Sequence, residues 1–228
     1  MITIGAAESV LEGFVYPRLS GMRAALPECQ FVFESCRTDE IVQRLKTGRL
    51  DIGIVRENAA VEFDTMFLVK VSYVLAVPRA ILPQRHSGGL DCLRGLPTAM
   101  LRGAGEFRRT LTAIIGKAGI DLQLVAETDT FGGVFQLVRT GSAAAILPKN
   151  MAKTLPADKF AIIQSDDFSI LDRSLVVATL ERTVSQRPLR VPLLFALPTF
   201  GGHEHDCIRC VRDRSALQIR FRERRAML

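Results

Sequence analysis

Apolar positions along the first 60 residues switch repeatedly between two spacings. Ile2–Gly5 is a short β-favouring run, after which Val10, Leu11, Phe14, Val15, Leu19 and Met22 recur at helical spacing behind Ser9, which is placed to cap the helix. Phe31–Glu34 predicts a second strand. Thr38 predicts the cap of a short helix with Asp39 and Glu40 in its first turn, Ile41, Val42 and Leu45 facing inward and Gly48 ending it. Leu50–Val55 then closes a βαβαβ run, which implies a parallel sheet with right-handed crossovers and helices on both faces.

Met66–Val77 is a long β-rich segment ending at Pro78, and it leads out of this first lobe. A second alternation follows. Thr98–Leu101 predicts a strand, Phe107, Leu111, Ile114, Ile115 and Ala118 share one helical face, Leu122–Ala126 predicts a strand, and a helix runs from about Thr130 to Thr140. Ala143–Leu147, Phe160–Gln164 and Ser174–Leu180 are further strands, the last long enough to return to the first lobe. The expected fold is α/β, with two Rossmann-like subdomains joined by two crossing strands. Residues 1–72 and 174–200 form the first subdomain, residues 73–173 the second, and 201–228 a basic, mobile tail. Pro192 and Pro198 break the apolar run before that tail.

Composition narrows the function classes. The 228 residues are 48% hydrophobic and 24% charged, which excludes global disorder. No stretch approaches the roughly 20 apolar residues of a membrane span, and Glu8 follows the first apolar run too soon for a signal peptide, so the expected compartment is the cytoplasm. Half of the net charge of +6 lies in residues 201–228, leaving the body nearly balanced and giving little support for nucleic-acid binding. Five cysteines, an odd number in a scattered arrangement, do not read as a disulfide framework.

ITIGAAESVLEGFVYPRL at the start, LKTGRLDIGIV at 45–55 and TGSAAAILP at 140–148 occur in an order and spacing that resemble the effector-binding domain of LysR-type transcriptional regulators over about residues 1–190. The resemblance implies a periplasmic-binding-protein-like fold, a small effector held between the lobes, and a homodimer or homotetramer. It implies DNA contact only through a winged helix-turn-helix domain, which is expected to have no counterpart in these residues, since Met1 stands at the first strand. A solute-binding protein of a transport system shares this architecture and is the alternative.

In open α/β sheets ligands bind beyond the carboxyl ends of the strands, where strand order reverses. That rule selects Ser9, Thr38, Arg56, Arg102, Thr130 and Phe131 as effector-binding residues. Ser9 and Thr38 also occupy positions resembling those where family members present hydroxyls. Arg56 and Arg102 would pair a carboxylate, so the expected effector is a small organic anion. Cys36, at a strand end beside the cleft, is a weaker candidate for a thiol sensor.

The body has one histidine, His86, and no convincing Ser-His-Asp set, and Gly103-Ala104-Gly105 lacks the rest of a dinucleotide fingerprint. The expectation is a binding module and not an enzyme, without catalytic residues, cofactor or resident metal. His203, His205, Cys207 and Cys210 are zinc-ligand types, but their spacing is cramped, and no metal site is assigned to them.

Overall fold

The computed structural model describes residues 1–84, 88–103 and 105–180. His86, the two late prolines, the tail and its histidines and cysteines lie outside the described residues. Of two compact units, the first takes in Met1–Tyr16 and the described residues from Cys29 onward and carries all the described strands. The second contains Pro17–Glu28, within which a helix spans Leu19–Ala25.

Within the first unit, β1 (Ile2–Ala6), β2 (Phe31–Ser35) and β3 (Ile52–Arg56) run parallel in the order β2-β1-β3. β10 (Arg173–Thr179) lies antiparallel between β3 and β4 (Asp64–Val71), giving the order β2-β1-β3-β10-β4. The other sheet repeats this design. β6 (Thr98–Leu101) and β7 (Leu124–Thr128) are parallel, and a parallel bridge from Thr98 to Ala144 joins them to β8 (Ala145–Pro148). β5 (Tyr73–Pro78) then lies antiparallel between β8 and β9 (Phe160–Ile163). In each sheet the fourth position is filled by a strand that has crossed over, β10 in one and β5 in the other. This is the two-subdomain, periplasmic-binding-protein-like α/β fold.

The expected single strand Met66–Val77 is two strands, broken at Ser72. Ser72 Oγ donates to Asp172 Oδ2 at 3.1 Å, and Asp172 immediately precedes β10, so the two crossings are tied together where they pass.

Each conspicuous residue of the motif Gly48–Gly53 has a physical task. Gly48 takes φ 70° just beyond the helix Thr38–Lys46, a conformation that favours glycine at a helix end. Leu50 is buried beneath Gly5, and Asp51 Oδ2 accepts the Thr3 backbone N–H at 2.8 Å, which is why β3 starts at Ile52 and not at Leu50. A Cβ on Gly53 would lie 2.6 Å from Ile41 Cγ2 and 2.7 Å from Leu45 Cδ1, so the helix rests directly on the sheet there.

Two expected caps shift. Ala7, not Ser9, holds the extended capping position before the helix Glu8–Val10, and Arg37, not Thr38, precedes Thr38–Lys46. Each helix begins earlier than the hydroxyl suggests because the chain turns directly out of its strand. At the second, Glu40 accepts the Arg37 N–H at 3.2 Å and supplies the missing partner.

Candidate functional site

Three aromatic rings meet where the start of β5 packs against the starts of two helices. Tyr73 opens β5, Phe107 lies in the first turn of the helix Glu106–Lys117, and Phe131 begins the helix Phe131–Arg139. Ring centroids are 4.9 Å apart for Tyr73–Phe107, 4.9 Å for Phe107–Phe131 and 5.9 Å for Tyr73–Phe131. Arg173, the first residue of β10, lays its guanidinium over two of them, 5.5 Å from the Tyr73 centroid and 5.2 Å from that of Phe107.

Arg56 ends β3 and forms an ion pair with Glu106. Burial lowers its pKa, and the nearby charges of Arg173 and Arg109 lower it further. The Tyr73 hydroxyl is pushed up by burial, partly opposed by Arg173 and Arg56. Arg56 and Tyr73 thus each feel the charge of Arg173, beside the buried rings of Tyr73 and Phe107. An anion binding beside them would relieve the repulsion between Arg56 and Arg173.

Thr130 occupies the capping position of the helix Phe131–Arg139, its Oγ1 accepting the Gly133 N–H at 3.1 Å. Thr130→Ala should lower stability by about 0.5–2 kcal/mol, while Thr130→Ser should retain most of it. Chemical denaturation of the two variants checks this, and equal losses would mean that the hydroxyl does not cap the helix.

Arg102 is placed differently from Arg56. It makes a bidentate pair with Asp129, at 2.9 Å to each carboxylate oxygen, with both side chains about two-thirds exposed. The hydrogen bonds to Asp129 raise its pKa. Ser9 and Thr38 are half-buried at the ends of β1 and β2, and neither hydroxyl makes a side-chain hydrogen bond among the described residues. Thus Arg56 and Phe131 join one cluster, Thr130 borders it, Ser9 and Thr38 stand at neighbouring strand ends, and Arg102 is already occupied by Asp129. Cys36 is buried, and desolvation raises its thiol pKa, the opposite of what an activated thiol needs.

The LysR substrate binding domain family model matches residues 1–196. The chain belongs to that family. Solved structures agree on the fold. The regulatory domain of Synechocystis PCC6803 CcmR, in complex with 2-PG, is 16% identical with a TM-score of 0.67, covering 86% of this chain and 95% of that one. A reduced form of OxyR from N. meningitidis is 18% identical with a TM-score of 0.66, covering 86% and 92%. Full-length CbnR complexed with target DNA is 16% identical with a TM-score of 0.62, covering 85% of this chain and 67% of that chain. A search of curated proteins found no match. The LysR assignment makes this a small-molecule effector-binding regulatory domain and sets aside the transport alternative.

Tyr73, Phe107 and Arg173 of this LysR domain are not legible as site residues in the sequence. The rings fit apolar core patterns, and Arg173 is remote from Arg56 along the chain. One signal is present: an arginine at the start of an otherwise apolar crossing strand.

Proposed function

We propose that the effector is a small organic anion with a flat apolar body, held between subdomains formed by residues 1–72 with 174–200 and by residues 73–173. Arg173 carries this reading, since it lies over two rings, is close enough to Arg56 for repulsion, and has no carboxylate partner among the described residues. The anion pairs with Arg173, and with Arg56 by displacing Glu106 from it, and its body packs on Phe107 and Phe131. Ser9, Thr38 and Thr130 contribute hydroxyls from the strand ends. Arg102 contributes only if the anion displaces Asp129. The role is binding and not catalysis, in the cytoplasm, with DNA reached through a separate domain. A thermal-shift screen of the chain against aromatic acids, aliphatic acids and their amides tests the reading. At 100 times its dissociation constant a ligand adds about 2.7 kcal/mol, so acids should raise the Tm by about 5–10 °C. Amides matching their acids would overturn the anion.

We also propose that the domain self-associates, with the helical stretch Val10–Ala25 against the partner's second subdomain. β7 supports this: its outer edge is unpaired among the described residues, and Leu124 and Val125 are exposed there. Light scattering should give twice the 25.2 kDa chain mass, and Val125→Glu should shift the species to monomer. A monomeric wild type at micromolar concentration would contradict it.

A further inference from the structure

Two arginines of the first sheet converge on the opening turn of one helix of the second subdomain. Arg56 ends β3 opposite Leu175 of β10, and Arg173 begins β10, so both leave neighbouring strands at the same end. Arg56 forms an ion pair with Glu106, and Arg173 lies over the ring of Phe107, the next residue. Both partners belong to the helix Glu106–Lys117. Arg108 in that helix reaches Leu101 O of β6 at 3.1 Å and Glu127 Oε1 of β7 at 2.9 Å, which fastens the helix to the second sheet. The Arg56–Glu106 pair is therefore a charged link from the first sheet to a helix held by the second.

Glu106 already does for Arg56 what an effector's carboxylate would do. It answers a positive charge that stands close to Arg173 and Arg109. Its place in the first turn of the helix suits a carboxylate, because the helix dipole favours negative charge there. The pair is also within reach of a solute: 22% of the Arg56 side chain and 45% of the Glu106 side chain is exposed. One carboxylate can thus be exchanged for another without leaving a buried charge unpaired.

We propose that Glu106 is a built-in competitor of the effector: its carboxylate holds Arg56 in the free domain and yields it to the effector's anion, releasing the start of the helix from the first sheet. This rests on the anion reading above and adds what sets the effector's threshold concentration. The apparent dissociation constant rises in inverse proportion to the fraction of molecules in which Arg56 is released.

Calorimetric titration of the full chain with benzoate tests the proposal. Glu106→Gln should bind benzoate at least about threefold more tightly than the wild type, as expected where a partly exposed ion pair holds Arg56 most of the time. Glu106→Asp keeps the charge in the first turn but shortens its reach, so its affinity should lie between the two; it guards against a misfolded Gln variant. In an Arg56→Gln background the same Glu106→Gln change should alter affinity by less than about twofold, because the contact it relieves is gone. Affinity unchanged or weakened by Glu106→Gln, or strengthened equally with and without Arg56, overturns the proposal. Arg173→Met reports on the anion reading separately. If it weakens benzoate binding while Glu106→Gln has no effect, the site stands and the competitor falls; if no variant binds benzoate, both fall.

Discussion

Arg173→Met should weaken binding of any acid found in the thermal-shift screen by about 10- to 100-fold, the loss expected for one charge-assisted hydrogen-bonding partner worth about 1.5–3 kcal/mol. Methionine keeps the contact with the rings of Tyr73 and Phe107 but removes the charge now lying over them. Stability of the free protein should change little, since the ring contact with the guanidinium contributes only about 0.5–1 kcal/mol at a partly exposed site. Arg173→Lys should recover part of the affinity, because a lysine supplies charge without the planar fork. Isothermal titration decides it. Unchanged affinity in the Met variant would move the site away from β10.

Leu45→Ala should damage stability far more than loss of the Thr130 cap. Leu45 is fully buried, in a cluster with Ile41, Leu50, Val55, Val176 and Ala178, and its Cδ1 lies over the bare backbone of Gly53. Removing it leaves a cavity that Gly53 cannot fill, at a cost of about 2–5 kcal/mol. For a domain of this size that corresponds to a fall in Tm of about 4–20 °C, measurable by differential scanning calorimetry. In the proposed site the damage should reach binding as well, because the same helix carries Thr38 at its start. A drop below about 1 kcal/mol would mean that the helix does not bear directly on the sheet.

The order of strands and helices is legible in the sequence because hydrophobic period changes at nearly every element and glycine marks where helices end, as at Gly48 and Gly141, both with positive φ. Thr98–Leu101 coincides with the predicted strand, and the helix Phe131–Arg139 falls within a residue of its prediction. What stays hidden depends on partners distant in sequence. The break at Ser72 follows from Asp172, 100 residues later, and the delayed start of β3 follows from Asp51 reaching back 48 residues to Thr3. Ser9 and Thr38 read as caps because capping residues have a type, whereas the position of a cap is set by where the chain leaves its strand.

The same distinction applies to the site. Arg56 ends a strand and Thr130 and Phe131 come just after one, so topology alone selects them. Tyr73 and Phe107 look like core residues, and the burial of both bears out that part of the pattern; only the arrival of Arg173 from the far crossing sets a guanidinium over the two rings. Arg102 follows a strand too, yet Asp129, 27 residues on, engages both arms of its guanidinium.

If one effector is held by residues from both sheets, its binding must register on both at once. Backbone amide shifts of the isotope-labelled chain, followed during titration with the strongest acid from the screen, test this most directly. Saturable changes are expected at Arg56 and Arg173 together with Phe107 and Phe131, all with one dissociation constant. Changes confined to one sheet, or centred on β4 near the exposed Phe67, would contradict it.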